Sequence, residues 1–566
     1  MFKTGETTGP RILCLDFSCC AVQPYDLMNQ TSESFAMKQD TEWKYARPAA
    51  IALRAVLFVV GGLAVVLLLG ETARAQEYTT QFLSESDTVE PVAFYSNFMK
   101  GDEEKEPTLE ERMAKLEDNY SALGDDYKKL DKEYEGLKKT MKTLATSGHG
   151  DSKMEVSGRV HADMWAFPNS DAAVNTFESG NPLITPQDRV GFRRMRFGVA
   201  GNLWQTMVYK IEMEFAGGAN SQFRDAYLGW KELPLLQQVL IGNQKRPYGL
   251  DHLNSSRYNV FMERPFVIES FNQDARRFGI QSYGVSEDQE WNWRYGVFNQ
   301  HLMQGDGQYA SDHWQAEYSS RLANTFWYDE TSGGRGYGHW AVSGTYAEPD
   351  GSAIPGRAPN EAQFCTRPEA RSTEQWLTTG RITGADNYQL LGLENVWNFG
   401  SLQLVGEYQN IWLERDPGTA DSDADLRFDG AYMYAAYFLT GEHMPWKRSS
   451  GTLDRVQPLE NFFLVDTCSD GVQGGWGAWQ VAYRVSYADF NDDNIFGGRG
   501  LSHTLGVNWY WNAYARMQFN AIYGEIDDAA VSDGENTRNL VTNVTPAGSI
   551  QSGNYTILGM RFMVDF

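Results

Sequence analysis

The sequence has no surplus of positive charge, few cysteines and only one long apolar run. Its 49 Lys and Arg residues are outnumbered by 74 Asp and Glu, which gives a net charge of −25. Nucleic-acid binding needs a positively charged surface, so this net negative charge excludes it. The 5 Cys and 8 His show no zinc-ligand spacing, and we therefore expect neither a metal site nor a cofactor.

The single long apolar run, from Ala55 to Gly70, lies near the N-terminus. Basic residues precede it, and an Ala-x-Ala motif at 73–75 follows it. This is the pattern of a cleavable secretory signal, so residues 1–75 are predicted to be an N-terminal extension and signal peptide, removed before Gln76. Met37, just ahead of the basic residues, is the predicted true start. An anchoring helix is the alternative, although the run is shorter than the ~20 residues that a membrane span needs.

A heptad repeat occupies residues 108–146, after a linker at 76–107. Leucine recurs at every seventh position from Leu109 to Leu144, and Met or Tyr falls between the leucines at alternating steps of four and three. Apolar residues at these a and d positions predict an α-helical coiled coil that oligomerises, roughly 50 Å long at 1.5 Å per residue. The alternative is a solitary amphipathic helix packed on the next domain.

From Glu155 onward the apolar residues recur at every second position, which is the period of a β-strand. In MVYKIEMEF the apolar side chains alternate with Lys210, Glu212 and Glu214, and the chain ends in the same way on Phe566. No second apolar face or buried helix is left over to cover the apolar sides in a soluble sandwich. The pattern therefore favours an all-β fold, a transmembrane antiparallel barrel.

The connections between these strands alternate between short turns and long loops, as they do in transmembrane barrels. About sixteen strands are predicted in residues 155–566, and an even number returns the chain to the side on which it began. Closure hides the backbone polar groups from lipid, with the last strand paired to the first. Aromatic girdles are expected from Trp residues near strand ends, namely Trp165, Trp230, Trp397, Trp412 and Trp509.

Seven segments occur in this order along the chain: FRRMRFGVAG, DAYLGW, IGNQKRPYGLDHLNSSRYNVFMERP, RYGVFN, YFLTGEHMPWKRSSGTLDRVQP, GAWQVAYRVSYADF and GVNWYWNAYARMQFNAIY. In these segments and in their order, the chain resembles the phosphate-selective porin O/P family. The resemblance implies a trimeric, sixteen-stranded outer-membrane channel whose inward-folded loops and basic side chains bind anions such as phosphate or polyphosphate. It also implies that the barrel assembly machinery reads the C-terminal strand ending in Phe566.

We therefore expect an outer-membrane porin, in contact with membrane lipid and with its coiled coil in the periplasm, that lets small solutes diffuse passively. An anion pore needs cations at several shallow sites, and Arg suits phosphate because it binds two oxygens at once. On the strands, the alternation of the two faces predicts that the following basic residues face the lumen: Arg194, Arg196, Lys210, Arg484, Arg516 and Arg561. The long connections add Lys245, Arg246, Lys447, Arg448 and Arg455.

Three further expectations complete this interpretation. The acidic chain, with Glu212 and Glu214 on the same face as Lys210, leaves open a general or weakly selective porin whose coiled coil tethers the membrane to the cell wall or to a partner. The alternative from another class is an outer-membrane barrel enzyme such as a protease or lipase, for which His161 and Asp163 lie two residues apart on one strand face. Because such a pair arises often by chance, no catalytic residue is predicted. Cys365 and Cys468 are expected on opposite sides of the membrane, without a disulfide.

Overall fold

The structure, a computed structural model, describes residues 152–217, 221–272, 276–303, 314–350, 362–417, 424–463, 465–467, 471–531 and 550–566. The predicted signal peptide, linker and coiled coil lie outside these residues. Within the described ranges, no helix is both long and apolar enough to cross a membrane.

Sixteen antiparallel strands form one closed barrel and follow one another around the wall in sequence order. The prediction of an all-β barrel of about sixteen strands is thereby confirmed. The strands are β1 (Lys153–Ser170), β2 (Arg189–Leu203), β3 (Met207–Glu214), β4 (Gln222–Leu233), β5 (Gln237–Lys245), β6 (Arg276–Val285), β7 (Trp291–Asn299), β8 (Ala316–Tyr328), β9 (Gly336–Ala347), β10 (Ala385–Phe399), β11 (Leu402–Arg415), β12 (Leu426–Phe438), β13 (Ala478–Asp492), β14 (Ile495–Asn512), β15 (Ala515–Ala530) and β16 (Ile550–Asp565).

The seam of the barrel is the pairing of β1 with β16. At its end, the Phe566 N–H donates to the Gly158 carbonyl at 3.1 Å, and the Gly158 N–H donates to the Phe566 carbonyl at 2.9 Å. The Phe566 ring covers Gly158 so closely that a Cβ at position 158 would lie 2.3 Å from its Cζ. The C-terminal residue is therefore an integral part of the closed sheet.

The two faces of the wall differ as the alternation predicts. On β16, Leu558 and Val564 are about half exposed on the outer face, whereas Arg561 is buried on the inner face. Four of the five Trp residues expected in girdles lie on the outer face, but Trp165 does not. The register of β1 turns Trp165 inward with Asp163, to which its indole N–H donates at 3.2 Å, so that girdle prediction is wrong.

The two ends of the barrel carry different connections. We call the end at which β1 begins and β16 finishes the turn end, where short turns such as 204–206, 234–236 and 513–514 lie. The opposite loop end carries long connections, among them 171–188, 246–275 and 348–384. One long connection, residues 439–477 between β12 and β13, departs from this rule and starts from the turn end.

Residues 246–272, the described part of the connection between β5 and β6, cross the inside of the barrel, and we call them the inner loop. It contains α2 (Leu250–Leu253) and α3 (Phe266–Asn272); α1 (Ala172–Ser179) belongs to the first loop. The Glu407 carboxylate on β11 accepts the N–H groups of Leu250 and Asp251 at 2.6 and 2.8 Å. On the opposite wall, Arg159 donates to Ser256 at 2.9 Å. Because unsatisfied helix N–H groups favour an acceptor, Glu407 fixes the position of α2.

The first half of the connection 439–477 enters the barrel from the turn end, and we call residues 442–456 the plug. Trp446 stacks on Tyr337 of β9 with ring centroids 5.2 Å apart, and its indole N–H donates to Thr325 at 3.0 Å. The Leu453 N–H donates to the Asn254 side chain of the inner loop at 3.0 Å. The plug and the inner loop therefore meet inside the barrel.

The prediction that Cys365 and Cys468 form no disulfide rests on this topology. Cys365 lies in a short hairpin of the loop-end connection 348–384, whereas Cys468 is outside the described residues, in a connection that starts and finishes at the turn end. Burial raises the pKa of the Cys365 thiol to about 12, which leaves little thiolate for exchange. Mass spectrometry of unreduced peptides is expected to find no such bridge, and finding one would contradict the strand count.

Candidate functional site

Six carboxylates of the barrel interior are neutralised by neighbouring guanidinium groups. The strands project them inward, where each has an Arg nitrogen within 2.9 Å. The pairs are Glu212–Arg159, Glu214–Arg196, Asp225–Arg276, Asp163–Arg561, Glu317–Arg246 and Glu394–Arg321. Buried ion pairs of this kind leave little net negative charge in the lumen, although the chain as a whole is strongly acidic.

A β-bulge on β2 places two consecutive arginines on the inner face. His161 of β1 is opposite Arg194, but its neighbour Ala162 is opposite Phe192, so Arg193 has no partner across the sheet. Both guanidiniums point inward as a result, while Phe192 and Met195 on either side remain exposed on the outer face. Strict alternation would have turned Arg193 toward lipid.

Arg193 and Arg561 bind the inner loop to this wall through Glu263. The Glu263 carboxylate accepts two hydrogen bonds from Arg193, at 2.7 and 2.9 Å, and one from Arg561 at 2.7 Å. Burial acts to raise the pKa of Glu263, but Arg193 and Arg561 outweigh burial and hold that pKa well below its ordinary value. Glu263 is therefore an ionised clamp between the inner loop and strands β2 and β16.

Arg194 is buried beside His161 without a carboxylate partner in the described part of the chain. Its Nη1 lies 3.4 Å from His161 Nδ1, and neither its Nε nor His161 Nε2 has a hydrogen-bond partner there. Arginine can only donate, so His161 Nδ1 accepts and His161 Nε2 carries the proton. Two neighbouring residues thus each bury an N–H donor that has no acceptor in the described part of the chain.

Four guanidinium groups lie near enough to His161 for their charges to act on it, those of Arg194, Arg561, Arg159 and Arg516. Arg561 and Arg159 are neutralised by Asp163 and Glu212, as described above. Arg516 donates only to neutral acceptors, the Asn259 carbonyl at 2.7 Å, the Met563 sulfur at 2.9 Å and the Tyr510 hydroxyl at 3.0 Å. Together Arg194 and Arg516 leave positive charge around His161 that no described carboxylate balances.

The remaining candidates on the strands lie on the inner face, but each is already held in an ion pair with a carboxylate. Arg196 binds Glu214 at 2.6 Å, and Lys210 binds Asp225. Arg484 binds Glu369 of the connection 348–384 at 2.7 Å, and also donates to the Glu263 carbonyl at 3.0 Å. These residues join strands or loops through ion pairs.

The loop candidates mostly hold the inner loop and the plug in place. Lys245 donates to the last carbonyls of α2, those of His252, Leu253 and Asn254, at 2.7 to 2.9 Å. Arg246 binds Glu317 at 2.8 Å. Arg448 and Arg455 bind Glu330 and Asp565 at 2.5 Å near the turn end, whereas the side chain of Lys447 is exposed.

Sequence reasoning missed some interior cations, of which Arg193 and Arg371 are the clearest. Arg371 belongs to the connection 348–384, and no sequence periodicity places that segment. The Arg193 guanidinium, together with burial, lowers the pKa of Arg371 to about 10. At Gly191, between these groups and the loop end, an added Cβ would meet nothing within 4 Å, so the lumen is open there.

A second group of cations lies near the turn end, around a small cavity of about 10 Å³. Arg257, Arg455 and Arg516 line it with a single carboxylate, that of Asp565. Cations thus occur at three levels, beside Gly191, around His161 and at the turn end. Over the described ranges, no group of His, Cys, Asp and Glu has the arrangement of a metal site.

An apolar outer face, a closed backbone and a charged interior narrowed by inward-folded segments define an outer-membrane channel protein. The chain belongs to the phosphate-selective porin O and P family, whose model matches residues 155–566. The outer membrane is accordingly its location. These findings confirm the family and the porin class that the sequence motifs predicted.

Two curated relatives and two solved structures illustrate the range of similarity. An uncharacterized protein of Caulobacter vibrioides is 23% identical over 389 residues, 67% of this chain and 69% of that protein. Porin O of Pseudomonas aeruginosa is 28% identical over 153 residues, 25% of this chain and 31% of its own length. The trimer form of OmpT of Vibrio cholerae has a TM-score of 0.42 at 11% identity, covering 74% of this chain and 100% of that one. The outer membrane channel DcaP of Acinetobacter baumannii has a TM-score of 0.42 at 10% identity, covering 75% and 99%.

Proposed function

We propose that this porin conducts small anions, phosphate among them, by passive diffusion across the outer membrane. The proposal rests on the positive charge of Arg194 and Arg516 near His161, which no described carboxylate balances. A buried guanidinium without a counterion is costly, and an oxyanion that accepts from Arg194 Nε and His161 Nε2 would relieve that cost. Polyphosphate is included, since it carries the same oxygens.

The three levels of cations suit conduction as well as binding. An ion moves through a pore only when its sites are shallow and repeated, so that it is passed from one to the next. Arg371 with Arg193, then Arg194 with His161, and then the cations of the turn-end cavity form such a series. The net charge of −25 is compatible with anion flow because six of the interior carboxylates are paired with arginines.

The assembly that we propose is a homotrimer with the turn end and the coiled coil in the periplasm, since short turns face the periplasm in such barrels. Residues 108–146 would then extend toward the cell wall or a partner, and the strand ending in Phe566 would be the part read by the assembly machinery. A weakly selective porin that mainly tethers the envelope is the second candidate, favoured by the acidic chain and the heptad repeat. No enzymatic role is proposed.

Reversal potentials of the purified protein in planar bilayers, under a KCl gradient and then with added phosphate, test the anion proposal. We expect anion selectivity and phosphate block. Arg194→Gln removes a charge-assisted donor worth about 1.5–3 kcal/mol, so block is expected to weaken about 10- to 100-fold. His161→Ala removes a neutral donor and is expected to weaken block less, about fivefold for ~1 kcal/mol.

Lys231→Gln, which removes a positive charge near the turn end of β4, is the matched control and is expected to leave block unchanged. Cation preference in the wild type would contradict the anion proposal and favour the tethering alternative. Unaltered block in Arg194→Gln, with a selective wild type, would place the binding site elsewhere in the lumen.

A further inference from the structure

Residues 459–463 and 474–476, described parts of the second half of the connection 439–477, lie on the outer face of the barrel rather than inside it. The Phe462 N–H donates to the Trp511 carbonyl at 2.7 Å, and the Phe462 ring lies 4.6 Å from the Trp509 ring. Trp509 and Trp511 alternate along β14 with Asn508 and Tyr510, which are buried inside. The connection therefore enters the barrel as the plug and then returns over the rim to the lipid-facing side.

This returning segment packs against a belt of aromatic side chains on the outer face. Trp479 and Trp509 stack with ring centroids 5.0 Å apart, and their indole N–H groups both donate to the Trp476 carbonyl, at 3.2 and 2.9 Å. Trp511 continues the contacts to Phe562 on β16, 6.2 Å away. With the N–H groups of Trp479 and Trp509 satisfied by protein, these two rings can enter an apolar environment without losing hydrogen bonds.

The side chains beyond this belt are apolar and uncovered. Leu459 is 70%, Phe463 63% and Trp476 75% exposed. Large apolar side chains grouped on one surface indicate an interaction site, and rings at the edge of a lipid-facing wall suit the membrane interface. We call Leu459, Phe462, Phe463 and Trp476 the aromatic finger.

We propose that the aromatic finger inserts into the interfacial region of the lipid leaflet at the turn end and thereby holds the plug inside the barrel. Its occupant is phospholipid because the finger continues the belt of Trp479, Trp509 and Trp511, which already faces lipid. A second copy of the chain would also cover apolar rings, and the quenching experiment below distinguishes it from lipid.

A buried carboxylate links the finger to the plug. Glu442, at the start of the plug, accepts the Leu459 N–H at 2.9 Å and the Thr440 hydroxyl, and it is 3% exposed. The Thr440 hydroxyl oxygen in turn accepts the backbone N–H of Trp479 on β13 at 3.0 Å. The base of the finger, the entry of the plug and the barrel wall thus share one hydrogen-bonded junction. Displacement of the finger therefore pulls on the plug.

Depth-dependent fluorescence quenching tests the lipid contact in the full chain. A bimane label on Phe463→Cys, with all five native Cys residues changed to Ser, is expected to lose most of its emission in bilayers of brominated phospholipid and little to aqueous iodide. The control label, on Ser332→Cys in an exposed turn at the same end, is expected to show the opposite. A Phe463→Cys label quenched by iodide, or shielded from both quenchers as under a second copy, would overturn the proposal.

Conductance tests the link to the plug. The double variant Phe463→Ser and Trp476→Ser is expected to show larger or more frequent conductance steps than the wild type in the same bilayer. Leu235→Ser, in the exposed turn between β4 and β5, removes an apolar side chain at the same end and is expected to leave the steps unchanged. A bimane label on Phe462→Cys, added to the double variant, reports whether the finger has left the lipid. Normal steps in the double variant, together with lost lipid quenching of that label, would overturn the coupling.

Discussion

Glu263→Gln is expected to release the inner loop from the wall formed by β1, β2 and β16. The substitution leaves Arg193 and Arg561 buried beside a neutral amide. Breaking a buried ion pair by removing one partner costs about 3–5 kcal/mol. The free energy of unfolding, measured by urea titration with heat-modifiable gel mobility as the readout, is therefore expected to fall by about that amount. Single-channel conductance is expected to rise because the loop no longer crosses the lumen.

The pH dependence of this clamp follows from the pKa of Glu263. Arg193 and Arg561 hold the folded-state pKa well below the ordinary 4.5, against the effect of burial. A lowered carboxyl pKa contributes stability that is fully present above the unfolded value and is lost as the pH falls through the folded value. The clamp is therefore expected to persist through mildly acid solution and to open only at still lower pH.

Glu330→Gln is the matched control for Glu263→Gln. Glu330 pairs with Arg448, but its side chain is 72% exposed. An exposed ion pair is worth about 0–1 kcal/mol, so this variant is expected to unfold and conduct almost as the wild type does. Equal stability of both variants would show that Glu263 is not the clamp.

Replacement of residues 443–456 of the plug by a short Gly-Ser linker is the change with the largest expected effect on conductance. Glu442 accepts the N–H of Leu459, so the two ends of residues 443–456 lie close together and a short linker can join them. Removing the segment clears Trp446 from its stack on Tyr337 and frees the turn end of the lumen. We expect a several-fold larger single-channel conductance.

The milder variant Trp446→Ala separates removal of the plug from damage to the barrel. It deletes the stack on Tyr337 and the hydrogen bond to Thr325 but keeps the backbone of the segment. A conductance between those of the wild type and the linker variant is expected, with normal gel mobility in all three. A linker variant that folds and conducts like the wild type would show that residues 443–456 do not obstruct the pore.

The barrel was predictable from the sequence because lipid requires an apolar side chain at every second position and a closed backbone. The same alternation placed Arg194, Arg484 and Arg561 on the inner face. It could not locate Arg193, because a bulge adds one residue to one strand and nothing in FRRMRF marks which residue is unpaired. The girdle prediction for Trp165 was wrong for a related reason. A Trp near a strand end can lie in an outer girdle or point into the lumen, and only the register of the strand distinguishes the two.

The roles of the loop cations were beyond sequence reasoning for a different physical reason. Lys245 caps the carbonyls of α2 and Arg455 binds Asp565, and both contacts depend on segments with no periodicity. A positive charge in a long connection can line a pore or bind the fold together, and only the positions of its acceptors distinguish the two. The plug was hidden in the same way, because the chain passes from interior to exterior within residues 439–477.

The bulge at Arg193 allows a lumenal charge to be gained or lost by insertion or deletion. Phe192 and Met195 both face outward because the extra residue between them restores the phase of the strand. Deleting Arg193 would leave a regular strand with every neighbour on its present face. An ordinary one-residue deletion elsewhere in β2 would reverse the faces of the residues that follow. Such a strand can change the charge of its pore by one codon while its lipid-facing surface stays intact.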